Sequence, residues 1–435
     1  MKIMIGLFLL SALAFAPQRV SAAPNADVVQ FVAAFNAGTS AAIGAYVHAH
    51  VLPAPPGTDA PDTAQSLEQL RQAIGTIAPV TVQELPRRIV ATVRSQSSGW
   101  YRIDFVRAPQ AAPHHFARIV TDLGLPPKPS GQSTQQYLSD LSSAGYFSGV
   151  VLSASGNAPP LVAAVGPANR AADAQNTADT LFNIGSIGKL FTTTAIYQLI
   201  EKGVLHKSDT IGKWLPDYPN AQAREATIDQ LLSMRSGIGD FFNPRFFHGS
   251  PERIRTLQDY VPFFAADPLA FKPGTSQMYS NGGFLVLGLI IEKASGQDYY
   301  SYVKEHIFDP AGMTNTSYPA IDQVLPNRAL GYTRGWSDLV TYRTELRPAT
   351  QGEPGRGSSA GGAFSTVGDL FKFSQALQNG SLVKGQYEWN GPGNFYAGGT
   401  PGWNAALDIE KGLTTIVLAN IDPPAAENLV ENLQP

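Results

Sequence analysis

The order of strand-like and helix-like segments limits the folds open to residues 133–435. Apolar runs with strand character lie at 146–154 and 161–165, and again at 403–409 and 413–420. Helical patterns occupy the sequence between these two groups. Strands separated this widely can share a sheet only if the two ends of the region come together. The pattern therefore predicts an α+β domain whose sheet is assembled from both ends, with a helical middle.

The helices of this domain carry start and stop signals. A basic last turn followed by a glycine, Lys202-Gly203, predicts the end of the helix that follows Ser186. Thr366 with Asp369 three residues later predicts an N-cap and a capping box. Further helices are predicted at 135–142, 228–234, 284–294, 299–307 and 367–378.

Residues 23–125 differ from the rest of the chain. Helical patterns come first and strand-like runs follow, which favours a separate small α+β domain. Its opening bears a faint resemblance to NTF2-like domains, and its role is left open. Residues 126–132, rich in proline and glycine, are predicted to be a linker. The helices are predicted at 28–35, 41–49 and 66–74, and the strands at 80–85, 89–94, 101–106 and 116–120.

The composition fits an exported protein that folds without disulfides. Met1–Ala16 combines one positive charge with an apolar run, and Val20-Ser21-Ala22 offers small residues for cleavage. Residues 1–22 are therefore predicted to be a secretory signal peptide; the alternative is a membrane anchor, for which the run is short. The chain has no cysteine, which excludes disulfides and thiol catalysis. A net charge of −3 without a basic run argues against nucleic acid as a partner.

Ser186 and Lys189 form the pattern with the most chemical content. A serine hydroxyl becomes a useful nucleophile when a nearby base accepts its proton. On a helix, a lysine three residues later lies on the same face, within reach of that hydroxyl. Gly185 precedes the serine and a long apolar run follows the lysine. We therefore expect a loop that delivers Ser186 to the first turn of a buried helix.

The same S-x-x-K pattern occurs twice more, at Ser301/Lys304 and at Ser381/Lys384. Ser301 lies in a run of alternating polar and aromatic residues, which is typical of a solvated helix. Ser381 follows Asn379-Gly380, which is typical of a turn. We expect that the hydroxyl and the lysine do not meet in either of these two pairs.

Several further motifs accompany Ser186 in a fixed order. Together they resemble the serine β-lactamase and penicillin-binding-protein superfamily, in its branch of class C β-lactamases, D-alanyl-D-alanine carboxypeptidases and family VIII esterases. The resemblance implies a β-lactamase-like fold, with an antiparallel sheet flanked by helices plus a helical subdomain. It implies neither a metal nor an organic cofactor. The motifs are Phe182–Lys189 with Thr192, Thr227-Ile228 with Ser236-Gly237, Pro273-Gly274-Thr275 with Tyr279-Ser280-Asn281, Leu287-Gly288 with Ser295-Gly296, Phe308-Asp309-Pro310 with Gly312-Met313, and Ala360-Gly361-Gly362 with Ser365-Thr366 and Asp369.

The resemblance implies a two-step acyl-enzyme mechanism. Ser186 would be the nucleophile. Lys189 and Tyr279 would act as general base and acid, and which of them takes the serine proton is left open. Asn281 would hydrogen-bond Lys189 and the substrate. The reaction would cleave an ester or an amide.

The third motif departs from the family pattern at Tyr396. Phe395–Trp403 fits the family's H-G-G-G-T-P-G, so Tyr396 stands where His or Lys is common. A tyrosine lining the pocket donates a hydrogen bond but brings no charge, which argues against recognition of a substrate carboxylate. Gly398 fits a strand edge that lines the substrate. The backbone N–H groups of Gly399 and Ser186 would form the oxyanion hole.

Two further departures concern the surroundings of these motifs. The stretch between the 367–378 helix and Tyr396 is shorter than in relatives, which predicts either an open rim or a poorly built third motif. Met234 stands where relatives often have His, a position that we expect to be structural.

The leading hypothesis is an exported serine hydrolase, secreted or periplasmic, acting on a small-molecule or peptide substrate. No stable membrane span is expected after removal of the signal peptide. None of the seven histidines lies in a G-x-S-x-G or H-E-x-x-H context, which argues against Ser-His-Asp and zinc hydrolases and against a metal site. One alternative is a β-lactamase or a D-Ala-D-Ala carboxypeptidase. An alternative of a different class is a catalytically silent binding module of the cell envelope.

Overall fold

The chain forms two compact units in a computed structural model. Among the described residues, the first unit comprises 25–147 with 333–335, 345–347 and 427–433, and the second comprises 148–332 and 348–426. The predicted linker at 126–132 and the helix predicted to open the hydrolase domain therefore fall in the first unit. The predicted signal peptide lies outside the described residues. The residues that the structure describes are 25–53, 63–108, 116–156, 158–335, 345–350, 353–384, 395–410 and 412–433.

The first unit begins with three helices that pack against a four-stranded antiparallel sheet in the order β1-β2-β3-β4. Apolar residues at helical spacing, such as Val28, Phe31 and Phe35, put one face of α1 into the core. Alternation along the strands puts residues such as Ile89 and Phe105 on the same core face. The elements are α1 (Ala26–Asn36), α2 (Ser40–His50), α3 (Thr63–Ile74), β1 (Ile77–Leu85), β2 (Arg88–Ser95), β3 (Gly99–Arg107), β4 (Phe116–Leu123) and α4 (Thr134–Ser143).

The second unit contains the sheet predicted from both ends of its sequence. The strand order is β7-β8-β9-β5-β6, and all neighbours are antiparallel. Val417 pairs with Val151, so a late strand lies beside an early one at the centre. The predicted α+β architecture of this region is confirmed. The strands are β5 (Gly149–Ser155), β6 (Leu161–Val165), β7 (Phe395–Thr400), β8 (Trp403–Glu410) and β9 (Leu413–Ala419).

Two nearly fully buried helices, α5 (Lys189–Glu201) and α6 (Asn281–Ser295), form the helical core of this unit. Ser280 caps α6 by accepting a hydrogen bond from Gly283 N, and Gly296 ends it with φ +71°. This fixes where α6 begins, and therefore the direction in which its first residue points. The other long helix of this unit is α7 (Val367–Gln378). The sequence analysis did not predict α8 (Ala425–Leu433), most of which belongs to the first unit.

Shorter elements connect these parts. The helix predicted at 299–307 ends at Val303 and continues as a π-helical turn. Among the described residues, no helix is long and apolar enough to cross a membrane. The short helices are Gly185–Gly188, Ile211–Trp214, Ala223–Glu225, Ile228–Leu232, Pro244–His248, Pro251–Arg253, Gln258–Phe263, Tyr299–Val303, Lys304–Phe308 and Asp309–Ala311; the short strands are Pro167–Asn169, Ala174–Gln175, Phe182–Asn183, Tyr332–Thr333, Arg347–Pro348 and Phe364–Ser365.

Candidate active site

Ser186 lies on a tight 3-10 turn, Gly185–Gly188, that leads directly into α5. Gly185 has φ +50°, a conformation that favours glycine. A Cβ on Gly185 would lie 2.5 Å from the backbone N of Gly399 in β7. The turn and the strand therefore meet backbone to backbone. Ser186 itself is only partly buried, so its side chain is accessible beside this junction.

Lys189, the first residue of α5, is only 5% exposed. Its Nζ donates to Asn281 Oδ1 at 2.6 Å, to the carbonyl of Ala360 at 2.6 Å and to Ser186 Oγ at 3.1 Å. Three acceptors match the three N–H donors of an ammonium group. Buried lysines are tolerated when their donors are satisfied in this way. The contacts hold the amine in one position, against the serine hydroxyl.

Tyr279 and Asn281 reach the same point from the start of α6. The Tyr279 hydroxyl lies 2.5 Å from Ser186 Oγ. Its ring also faces the amine, with Lys189 Nζ 4.7 Å from the ring centroid. Ser280, between the two residues, is the N-cap that sets their geometry. The structure thus brings together four residues that the sequence separates by up to 95 positions.

Gly398 and Gly399 bring strand β7 against the serine turn. A Cβ on Gly398 would lie 2.2 Å from the carbonyl oxygen of Ile184 and 2.6 Å from the backbone N of Ser186. Only glycine fits this contact. The backbone N of Ser186 and that of Gly399 both lie at the junction of turn and strand. An oxygen that develops negative charge beside Ser186 Oγ would have two candidate N–H donors there.

A comparison with known protein families identifies the family of this chain. The family model described as Beta-lactamase matches residues 134–391, more than half of the chain. The chain belongs to the Beta-lactamase family. The match ends before strand β7, so the residues of the third motif lie outside it. The predicted membership of the β-lactamase and penicillin-binding-protein superfamily and the predicted β-lactamase-like fold are both confirmed.

Individual relatives of this Beta-lactamase-family chain include two proteins of Bacillus subtilis. Penicillin-binding protein 4* is 33% identical over 245 residues, which are 54% of this chain and 53% of that protein. Putative penicillin-binding protein PbpX is 32% identical over 287 residues, 61% of this chain and 69% of that protein. The crystal structure of a penicillin-binding protein from Bacillus halodurans is similar with a TM-score of 0.60 at 28% identity, covering 69% of this chain and 98% of the other. The chain thus spans about half of the length of the first relative.

Asp240 is a residue of this site that the sequence reading missed. Its Oδ2 accepts a hydrogen bond from Asn281 Nδ2 at 2.7 Å, and its Oδ1 accepts one from the backbone N of Phe242 at 2.9 Å. Burial raises the pKa of Asp240 above its ordinary value, while these two hydrogen bonds and the charge of Lys189 oppose that rise. The sequence offers one signal for Asp240: it lies three residues after the end of the Thr227–Gly237 motif. No sequence pattern indicates that this position must be polar.

Tyr396 lies two residues before Gly398 on β7, opposite Leu407 of β8. Its side chain is partly buried against the core of the unit. Burial raises its pKa above that of an ordinary phenol, so the hydroxyl stays neutral at physiological pH. The short stretch that precedes it includes residues 385–394, which lie outside the described residues, so the predicted open rim stays a prediction.

The two other S-x-x-K pairs do not form such a site. Lys304 Nζ bonds the carboxylate of Asp309, and Ser381 Oγ donates to the carbonyl of Ala376. The expected solvated helix around Ser301 was wrong, because Tyr299, Tyr300 and Tyr302 are all buried. Ser301 and Lys304 themselves are exposed.

Met234 has a backbone role. It adopts φ +56°, which is unusual for a residue with a Cβ, and its carbonyl accepts a hydrogen bond from Met278 N, one residue before Tyr279.

Possible metal ligands do not gather anywhere in the described parts of the chain. No group of three or more His, Asp or Glu residues there is arranged to hold an ion. The polar groups of Ser186, Lys189, Tyr279 and Asn281 form hydrogen bonds with one another.

Proposed function

We propose that this chain is a serine hydrolase that cleaves an ester or amide bond through an acyl-enzyme on Ser186. The observation that carries the proposal is the position of the serine hydroxyl. Its Oγ lies 2.5 Å from Tyr279 Oη and 3.1 Å from Lys189 Nζ. A hydroxyl held against two groups that can exchange protons is what nucleophilic catalysis by serine requires.

Acylation begins when Ser186 Oγ attacks the carbonyl carbon and its proton passes to whichever member of the Tyr279–Lys189 pair is deprotonated. The carbonyl oxygen takes the negative charge and accepts hydrogen bonds from the N–H groups of Ser186 and Gly399. The bond to the leaving group then breaks. The pair returns the proton to the departing alcohol or amine, and the acyl group remains as an ester on Ser186.

Deacylation repeats these steps with water. The pair accepts a proton as a water oxygen attacks the ester carbon. The C–Oγ bond then breaks and the proton returns to Ser186, which regenerates the enzyme and releases an acid. Asn281 stays bonded to Lys189 throughout and positions the amine.

The proposed substrate is a neutral ester or amide. Tyr396 occupies the position at which a cation would bind a carboxylate, and its neutral hydroxyl supplies a hydrogen bond only. We propose further that the protein is exported, on the strength of the leader pattern of Met1–Ala16.

A second candidate is a D-Ala-D-Ala carboxypeptidase or a β-lactamase. It is favoured by the relatives, since both Bacillus subtilis proteins carry penicillin-binding names. A catalytically silent envelope module is disfavoured, because such a module needs no buried lysine against a serine hydroxyl.

The test is hydrolysis by purified protein from residue 23 onwards. Three substrates are compared: a short-chain p-nitrophenyl ester, a chromogenic cephalosporin and a D-Ala-D-Ala peptide. Ser186→Ala should abolish turnover with little loss of stability, because one small side chain replaces another. Lys189→Ala should lose at least about two decades in rate. Lys304→Ala, from the exposed S-x-x-K pair, is the matched control and should leave the rate unchanged.

Turnover of the ester that depends on Ser186 supports the proposal, and preference for the peptide or the cephalosporin supports the second candidate. Near-wild-type activity of Ser186→Ala contradicts the assignment of the nucleophile. Absence of Ser186-dependent turnover of all three substrates favours the silent module.

A further inference from the structure

Asp240 stands at the far end of a continuous chain of hydrogen bonds that starts at Ser186. Lys189 Nζ donates to Ser186 Oγ at 3.1 Å and to Asn281 Oδ1 at 2.6 Å. Asn281 Nδ2 in turn donates to Asp240 Oδ2 at 2.7 Å. Asp240 is therefore linked to Ser186 indirectly, through Asn281 and Lys189. None of these hydrogen bonds joins its carboxylate directly to the hydroxyl of Ser186 or of Tyr279.

The orientation of the Asn281 amide, with its oxygen towards Lys189, is set by the groups on either side of it. Rotation by half a turn about the last side-chain bond exchanges Oδ1 and Nδ2 at almost unchanged shape. An ammonium only donates hydrogen bonds and an ionised carboxylate only accepts them. With Lys189 on one side and Asp240 on the other, a single orientation satisfies both neighbours. The rotated amide would set donor against donor and acceptor against acceptor.

The loop that carries Asp240 is itself tied to the start of α6. The carbonyl of Gly239 accepts hydrogen bonds from Gly282 N and from Ser280 Oγ, both at 3.2 Å. The backbone N of Phe242 holds the other oxygen of Asp240. The carboxylate is thus fixed relative to Asn281, which lies between Ser280 and Gly282. A fixed acceptor can select an amide orientation, whereas a mobile one cannot.

We propose that Asp240 is a positioning residue for the reaction: it holds Asn281 in the orientation that keeps Lys189 against the Ser186 hydroxyl. This inference rests on the proposed serine-hydrolase function. Without the carboxylate, Asn281 Nδ2 loses its acceptor, so the amide is held from one side only and can move away from Lys189. Lys189 then leaves Ser186 Oγ, so activation of the nucleophile weakens while the fold is retained.

A double-mutant cycle tests this, because a residue that acts through another has no effect once the other is gone. Asp240→Ala, Asn281→Ala and the double variant are compared with wild type. The readouts are kcat/KM for the p-nitrophenyl ester and the rate at which a fluorophosphonate labels Ser186. Asp240→Ala should lower both by about ten- to a hundredfold, the scale of one hydrogen bond to a charged group. In the Asn281→Ala background the same change should cost less than about twofold.

The conservative variant and the control separate positioning from folding. Asp240→Asn keeps an acceptor oxygen and should retain more activity than Asp240→Ala. Asp259→Ala removes a carboxylate that likewise accepts from loop backbone, at Arg255 and Thr256, and should leave both rates within about twofold of wild type. Thermal unfolding checks each variant, and Asn281→Ser replaces Asn281→Ala if the latter does not fold.

Equal losses for Asp240→Ala in both backgrounds would overturn the inference, as would wild-type rates in Asp240→Ala. Wild-type protein that shows no Ser186-dependent turnover or labelling would overturn the proposed function and this inference together. An additive cycle in an active enzyme would overturn this inference alone.

Discussion

At the scale of single residues, the proposed substrate class depends on Tyr396. Its position on β7, two residues before Gly398, puts it on the strand that meets the serine turn. Its hydroxyl is neutral at physiological pH, since burial raises its pKa further above that of an ordinary phenol. Under the proposed function, this side chain offers a substrate a hydrogen bond but no positive charge.

Tyr396→His should change the preference for charged substrates. A protonated imidazole supplies the positive charge that tyrosine lacks. We expect kcat/KM for a D-Ala-D-Ala peptide to rise by about tenfold relative to its C-terminal amide, and the ratio to be larger at pH 6 than at pH 8. The measurement is the ratio of the two kcat/KM values at both pH values.

Tyr396→Phe is the control for this substitution, because it removes the hydroxyl without adding charge. If the histidine variant alters the ratio no more than the phenylalanine variant does, Tyr396 does not determine recognition of a carboxylate.

At the scale of secondary-structure elements, the proposed oxyanion hole depends on the contact between strand β7 and the serine turn. A Cβ on Gly185 would collide with the backbone of Gly398 and Gly399, and a Cβ on Gly398 would collide with the backbone of Ile184 and Ser186. The two proposed oxyanion donors, on Ser186 and Gly399, belong to different sides of this contact. Their separation is therefore set by how closely the two elements approach, and the proposed chemistry depends on that distance.

Gly398→Ala should reduce activity while most of the fold remains. The new methyl group would lie 2.2 Å from the carbonyl oxygen of Ile184, so β7 must move away from the turn. Loss of an oxyanion donor typically costs about a hundredfold or more in kcat. We expect a fall of this size in ester hydrolysis, with a circular dichroism spectrum close to that of wild type.

Gly44→Ala is a suitable control, since a Cβ at that helical position would meet no heavy atom within 4 Å beyond its chain neighbours and the backbone of its own helix. It should leave hydrolysis unchanged and raise stability slightly, because alanine favours helix over glycine. Equal activity of Gly398→Ala and Gly44→Ala would contradict the importance of the β7 contact.

At the scale of the whole molecule, the first unit collects residues from distant parts of the chain. Residues 427–433 belong to it, although more than 250 residues of the second unit separate them from 25–147 in sequence. Glu431 pairs there with Arg88 and Arg102, and Asp104 pairs with the same two arginines. Asp122 lies opposite Arg102 on β4. Two carboxylates therefore share two guanidinium groups, and the carboxylate of Asp122 forms no ion pair with either of them among the described residues.

Asp122→Asn should stabilise the protein at high pH. Burial, and secondarily the charge of Asp104, raise the pKa of Asp122 to about 6, with Arg102 opposing. The unfolded-state pKa is about 3.9, so the folded state prefers the protonated acid, and stability falls as the pH rises through 6. The neutral amide avoids this loss. We expect a gain on the order of 1 kcal/mol in the free energy of unfolding at pH 8, shrinking towards zero at pH 4.

Urea unfolding of wild type and variant at pH 4, 6 and 8 checks this. Asp179→Asn, which alters an exposed carboxyl, should change stability little at any of these pH values. A gain for Asp122→Asn that is the same at pH 4 and pH 8 would show that charge burial is not its cause.

Local patterns in the sequence identified most of the elements. The helix at 367–378 and the strand at 161–165 have the predicted bounds, because periodicity and capping act within a few residues. Thr366 caps its helix as expected, by accepting from Asp369 N. The carboxylate of Asp369, expected to complete a capping box, instead accepts from Asn315 N and Thr316 Oγ1. The partners of the Asp369 carboxylate therefore come from a loop more than fifty residues away in the sequence.

The sequence by itself determined the family, the α+β architecture and the identity of Ser186, Lys189, Tyr279 and Asn281 as candidates, because each is written in short motifs. Only the tertiary structure showed that Lys189 contacts Ser186 Oγ, brought Asp240 to Asn281 and placed residues 427–433 in the first unit. These are contacts between residues far apart in the chain. Their geometry follows from how buried helices and strands pack, and no local periodicity encodes it.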